Sequence, residues 1–159
     1  MARAKTEPRV RQQTQRVVAL DTSCVVALLC EWHEHHAATA SAIEQRVDAG
    51  ADLAIAAPVL FEAYSVLTRL PGPWRMSPHD ALHLIKENFR RTGRTVALGA
   101  EEHWSLLEGA PGAGVSGGRT YDAAIAACAR KANARELLTL NMRHFAAFAD
   151  QSLLITSPA

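Results

Sequence analysis

Short uncharged runs rich in valine, leucine and isoleucine alternate along this chain with longer stretches in which apolar positions recur every three or four residues. The first kind suits buried strands and the second suits amphipathic helices. Val17–Leu20 reads as a buried strand ending at Asp21, with Thr22 or Ser23 placed to cap the helix that follows, SCVVALL. A helix is predicted over 35–47, stopping near Gly50, a residue that suits a helix end. Residues 53–56 form the next strand. Pro58 then opens the helix PVLFEAYSVLTRL, with Val59, Ala63, Val66 and Leu70 as its apolar face and Glu62 early in it. Pro71, Gly72 and Pro73 break the pattern. Ser77 and Pro78 start a helix running to about residue 91; 95–98 reads as strand, 101–107 as helix, and the Gly/Pro-rich 109–118 as loop. The strongest helical stretch is 120–131, TYDAAIAACARK. A strand at 136–140, a turn or short helix at 143–148 and a short strand at 152–156 complete the chain.

Strands and helices thus alternate, and the strands are uniformly apolar. That combination predicts a single α/β domain in which a parallel central sheet of four to five strands is covered by helices on both faces. At 159 residues the chain is long enough for one real core, and neither an internal repeat nor a linker divides it. The expected boundaries are a basic, disordered N-terminal extension over 1–16 and a folded domain over 17–157.

Charge and composition sharpen this. The chain is 48% apolar and 21% charged, which excludes wholesale disorder. Residues 1–16 hold Arg3, Lys5, Arg9, Arg11 and Arg16 against Glu7, so they carry +4 and leave −3 for the rest of a chain whose formal net charge is +1. A basic arm on a slightly acidic body suits contact with nucleic acid, although short charged termini are often only solubilising. Cys24, Cys30 and Cys128 are odd in number and lack zinc-finger spacing, which argues against a disulfide framework. The first 30 residues lack the order of a signal peptide, and no run of 18 apolar residues suits a membrane span. A reduced cytoplasmic protein is expected.

In an open parallel sheet, sites form beyond the carboxyl ends of the strands. Asp21 sits at one such end; Thr139 and Asn141, in LLTLNMRHF, sit at another. Asp122 begins a helix behind a Gly-rich loop and Glu62 opens the helix after the second strand, which puts both at the same rim. Carboxylates brought together repel unless a cation or protons neutralise them. Oxygen-only ligands favour Mg²⁺ or Mn²⁺, which keep waters and take phosphate oxygens. That is machinery for phosphodiester hydrolysis. Singly, each acid has an ordinary reading: Asp21 as an N-cap, Asp122 as complement to a helix dipole, Glu62 as a solvated helix residue. Spacing alone does not choose between the two.

Resemblance does. VVALDTSCVVALL resembles the opening motif of the PIN domain, and APVLFEAYSVLTRL resembles its second motif. SGGRTYDAAIAACARKANARELLTLNMRHF looks like its third and fourth run together, as in VapC toxins of type II toxin–antitoxin systems. The likeness covers about residues 17–157. It implies that Asp21, Glu62 and Asp122 bind Mg²⁺ (or Mn²⁺) in an endoribonuclease that hydrolyses RNA phosphodiesters, leaving 5′-phosphate and 3′-hydroxyl ends. It places Ser23 and Thr139 as hydroxyls that arrange the site, with Thr22 the alternative to Ser23. Asn141 falls where the family often has a fourth acid; an amide ligates or orients water but cannot act as a base. Arg119, beside Asp122, is placed to contact a phosphate, or else is a surface charge. The implied partners are tRNA or rRNA as substrate, a cognate antitoxin protein, and a second copy in a homodimer, with Val25, Leu28 and Tyr64 as candidate contact residues.

Two rival readings follow from the Asn141 departure and from the family's breadth: a catalytically silent PIN module that holds RNA or an antitoxin, and a PIN nuclease outside any toxin pair. Other features were weaker. Trp32-His33-Glu34-His35-His36 invites zinc, but the H-E-x-x-H order is absent; lying between two helices, the cluster is instead a candidate contact for RNA or a partner chain. Cys24 has no histidine paired with it nearby and lies in an apolar run. Loop 112–118 lacks the Lys-Ser/Thr of a phosphate-binding loop. A haloacid-dehalogenase-like phosphatase would need an aspartate where this chain has Ser23.

Overall fold

The strands pair in parallel throughout. The computed structural model describes residues 16–158; the arm expected over 1–16 lies outside them save for Arg16. The strands are β1 (Val17–Leu20), β2 (Asp52–Ala56), β3 (Gly93–Val96), β4 (Ala134–Leu138) and β5 (Leu154–Thr156), and they lie in the sheet in the order β3-β2-β1-β4-β5. The helices are α1 (Thr22–Leu29), α2 (His36–Asp48), α3 (Ala57–Arg69), α4 (Pro78–Ile85), α5 (Ala100–Gly109), α6 (Arg119–Lys131) and α7 (Met142–Phe145). This is the α/β architecture with a parallel sheet that the alternation predicts.

β1 lies at the centre and is buried at all four positions. Leu20 stands opposite Ile55 on one side and Leu138 on the other. The three central strands therefore end level, and the residues that follow them emerge along one edge. The core is aliphatic: Val18, Leu20, Ile55, Leu137 and Leu138 from the sheet, Val25, Val59, Ala63 and Leu67 from the helices, with Phe145 closing it. On α6 the alanines 123, 126 and 129 are buried, and small side chains let that helix approach the sheet closely.

Several local expectations need correction. The expected cover on both faces holds only for the central strands. β3 reads GRTV and is half-exposed, and β5 is likewise an exposed edge, as edge strands with one partner tend to be. β3 starts two residues earlier than its apolar run suggests, because Gly93 pairs with Leu53; a Cβ there would meet the Phe89 carbonyl at 3.3 Å. β4 also starts two residues early, and Thr139 and Leu140 lie past the ladder. The helix expected to reach about residue 91 ends at Ile85 and continues as a π-type turn over Lys86–Arg90, with Phe89 in the core. Asp21 caps α1, not Thr22 or Ser23. The buried stripe of α3 is Val59, Ala63 and Leu67; Val66 and Leu70 are only partly buried. Val25 has no exposed surface, so only Leu28 and Tyr64 of the proposed contact patch remain partly accessible.

One charged residue sits inside. Glu136 on β4 is 2% exposed. Arg46 of α2 donates to it through Nε at 3.0 Å and through Nη2, Arg16 donates at 2.9 Å, and Thr156 of β5 donates at 2.6 Å. Burial alone would raise this carboxyl, but those hydrogen bonds and the two arginine charges outweigh it and hold the group below its ordinary value. Among the described residues no helix is long and apolar enough to cross a membrane.

Candidate active site

Asp21 leaves β1 with its backbone N–H bonded to the Leu138 carbonyl, which sets it at the carboxyl end of the sheet beside β4. Its carboxylate is 4% exposed in residue terms and is held by three donors on one oxygen, Oδ2. They are Ser23 Oγ at 2.7 Å, Thr139 Oγ1 at 2.9 Å and the Ser23 N–H at 3.3 Å. The proton accounting is strict. The Leu140 N–H donates to Ser23 Oγ and the Asn141 N–H donates to Thr139 Oγ1, both at 2.9 Å. Each hydroxyl accepts from backbone and gives its one proton to Asp21. None of these bonds uses Oδ1.

Glu62 stands in the second turn of α3, and its carboxylate accepts from the Thr22 hydroxyl, 40 residues away in sequence. The alternatives Thr22 and Ser23 thus both serve, each on a different acid. Asp122 sits in the first turn of α6, reached through Gly117, whose φ of 56° suits glycine. His144 of α7 lies 3.5 Å from Asp122. Burial raises the Asp122 carboxyl above its ordinary value; His144 opposes the rise, while the charges of Asp21 and Glu62 add to it.

The three acids line one cleft of about 500 Å³, together with Thr22, Ser23, Leu140, Asn141 and His144. His33, Glu34 and His35, from the turn between α1 and α2, line it too. Arg119 is placed differently: its guanidinium rests over the Phe148 ring, 5.8 Å from the centroid, and acts on Asp122 only through its charge. Thr139 is fully buried behind Asp21, as an arranging hydroxyl should be. His144, His33 and His35 join the site in the structure, and no motif along the chain assigns them to it. The sequence signal for the last two is the His-rich cluster, whose place in the cleft depends on how the α1–α2 turn folds back. Cys24 is fully buried, and burial, then the Asp21 charge, pushes its thiol up to about 12, so it is no nucleophile.

Among the described residues no three Asp, Glu, His or Cys side chains close on a common point as a cage for an ion. The acids form an open row. A larger hollow of about 750 Å³ lies between α5 and α6, but its lining is mostly apolar and contains none of the strand-end groups. The chemistry-bearing groups converge in the smaller cleft.

The family model for the PIN domain matches residues 18–151. The chain is 37% identical to Ribonuclease VapC40 of Mycobacterium tuberculosis over 127 residues, 80% of this chain and 88% of that protein. It is 34% identical to Ribonuclease VapC27 of the same organism, over 79% of this chain and 85% of that one. Among solved structures, VapBC2 from Rickettsia felis, bound to a DNA fragment from their promoter, superposes with a TM-score of 0.63. That match covers 89% of this chain and 98% of that one at 18% identity, a likeness of fold.

Proposed function

Because this chain belongs to the PIN domain family, and within it to the VapC kind, we propose that it is a metal-dependent endoribonuclease and the toxin of a toxin–antitoxin pair. The observation that carries this reading is the row of three carboxylates, from β1, α3 and α6, in one cleft at the carboxyl edge of the sheet. Burial raises the Asp122 carboxyl, and the charges of Asp21 and Glu62 add to the rise. Such crowding is unfavourable unless positive charge is meant to enter.

The donor set fits Mg²⁺, or Mn²⁺, because the three acids and Asn141 offer oxygen ligands. Mg²⁺ is commonly held by one or two carboxylates, waters and substrate phosphate, not by a closed protein cage, so an open row of acids is sufficient. When bound, the cation supplies charge that acidifies water and stabilises the oxygen leaving phosphorus. The chain's own part is positioning. Ser23 and Thr139 fix Asp21 so that Oδ1 is left for a ligand, and Thr22 steadies Glu62. Asp122 shares the cleft wall with His144, 3.5 Å away. Asn141 offers a neutral oxygen at the rim and no base. Arg119, one turn before Asp122, contacts a phosphate by leaving the Phe148 ring.

The substrate is RNA, the inhibitor is a cognate antitoxin protein, the working unit is a homodimer, and the compartment is the cytoplasm. The likeness to the VapC ribonucleases supports the first two. Sequencing of RNA ends after brief expression, beside the same experiment with Asp21→Ala, tests the reading. New 5′-phosphate ends that vanish in the variant are expected; ends that persist at equal frequency would sink it. The neutral Asn141 favours one rival, a silent RNA- or antitoxin-binding module, and the same assay decides between them.

A further inference from the structure

Two loops meet through a pair of tryptophans, and the first of them lines the cleft. One joins α1 to α2 and carries Trp32, His33 and His35; the other follows α3 and carries Trp74 in a single 3₁₀ turn, Gly72–Trp74. Their rings form a continuous series. Trp74 and Trp32 lie with centroids 4.6 Å apart, Trp32 and His33 at 6.2 Å, and His33 and His35 at 5.7 Å. All three spacings are within aromatic contact. The outer two rings remain in water, Trp32 at 41% and Trp74 at 46% exposure, although tryptophan is on average a well-buried residue. The inner two line the cleft that holds Asp21, Glu62 and Asp122.

The series is held in place before anything binds. The His35 N–H donates to His33 Nδ1 at 3.1 Å, the His33 N–H donates to the Cys30 carbonyl at 2.9 Å, and His36 Nδ1 meets the Ala27 carbonyl of α1 at 3.0 Å. In the other loop, the Met76 N–H donates to the Leu67 carbonyl of α3 at 3.1 Å, next to Trp74 and Arg75. Among the described residues, neither Trp32 nor Trp74 belongs to the hydrophobic core or packs against it.

We propose that this aromatic series is a stacking platform for the unpaired bases of single-stranded RNA beside the phosphate in the carboxylate cleft. The inference rests on the reading of that cleft as an RNA-cutting site and adds how the strand is held. Carboxylates repel phosphates, so a cleft lined by three acids needs affinity that does not depend on charge. Stacking on aromatic faces provides it for any base, because every base has a π-face. Base-paired RNA keeps its bases within the helix and cannot use such a surface, whereas loops and bulges can splay theirs out. Exposed Arg75, directly after Trp74, adds a cation at the outer end. Continuity with the acids, ring by ring, favours RNA over a protein partner as the occupant.

The test uses the full chain with Trp104→Phe, which leaves Trp32 and Trp74 as the only tryptophans. Binding is followed by tryptophan fluorescence in chelator, so that no cutting occurs. The probes are an unpaired oligoribonucleotide of about twelve residues, its duplex, and an abasic ribose-phosphate strand of equal length. Quenching by the unpaired strand is expected, with little from the duplex or the abasic strand. Trp32→Ala should weaken binding about ten-fold and Trp32→Phe should largely restore it. With metal present, Trp32→Ala should raise KM by a similar factor and leave kcat unchanged. Equal binding of abasic and base-bearing strands, or Trp32→Ala identical to its parent on unpaired RNA, overturns the platform, whether or not the protein cuts. Base-dependent quenching in a protein that cuts no RNA upholds the platform and removes the nuclease reading instead.

Discussion

Asp21 is surrounded by groups whose protons all point at it, and this makes the residue scale the place where the site is most easily tested. Thr139 gives its proton to Asp21 and accepts from the Asn141 backbone. Thr139→Val keeps the shape and deletes both bonds. It should weaken Mn²⁺ binding by about ten-fold, the effect of removing a group that orients a ligand, measured by titration calorimetry. Asp21→Ala should lower the cleavage rate by more than about a hundred-fold. Asp122 allows a test of sign. Its carboxyl is raised by burial and by Asp21 and Glu62 against the pull of His144, so the ionised form destabilises the fold. That penalty is fully present above the folded-state pKa and fades as pH falls toward the ordinary aspartate value. Asp122→Asn should therefore raise Tm in chelator at neutral pH, by a margin that shrinks on acidification, while cleavage is lost. Asn141→Asp should tighten Mg²⁺ and keep or raise the rate, and Asn141→Ala should slow it. Silence of both Asn141 changes in a metal titration would remove that residue from the site without touching the acids.

At the scale of elements, Glu136 ties four pieces of chain together: β4, α2, β5 and the residue before β1. Removing one partner of a buried ion pair leaves a charge short of compensation. Arg46→Met should cost about 3 kcal/mol by urea unfolding, the low end for such a loss, because Arg16 and Thr156 remain. The pH dependence runs opposite to that of Asp122. Glu136 is held low, so its contribution is present above the ordinary glutamate value and is lost as pH falls through the lower folded-state pKa. The elements themselves were largely readable. Helices α2, α3 and α6 come within a residue or two of their patterns, since their periodicity is long and Gly50 and Pro58 mark an end of the first two. Strands β3 and β4 were misplaced by two residues because an apolar run does not say where a ladder begins. Their starts were set by pairing with β2 and β1.

At the scale of the whole molecule, the N-terminal sequence and the assembly each carry a measurable consequence. Arg3, Lys5, Arg9 and Arg11 outnumber Glu7 ahead of Arg16. If they neutralise phosphates, deleting residues 1–15 should weaken RNA binding and flatten the dependence of log Kd on log salt, since fewer counterions are released. An unchanged slope in filter-binding assays would return the arm to a solubilising role. Light scattering at micromolar concentration, reading a mass near twice 17.2 kDa, tests the homodimer. The alternation of strand and helix, and the motifs around Asp21, Glu62 and Asp122, were legible along the chain because periodicity and local motif are properties of neighbouring residues. The pairing of Thr22 with Glu62 and of Thr139 with Asp21 spans 40 and 118 residues; it exists only because the strand order puts β1 between β2 and β4. Strand order also brings His144 to Asp122. The folding-back of two loops sets Trp74 on Trp32 and brings His33 and His35 into the cleft that the acids line. Those contacts are decided by the packing of elements on one another, a long-range balance of burial and hydrogen bonding that no local pattern encodes.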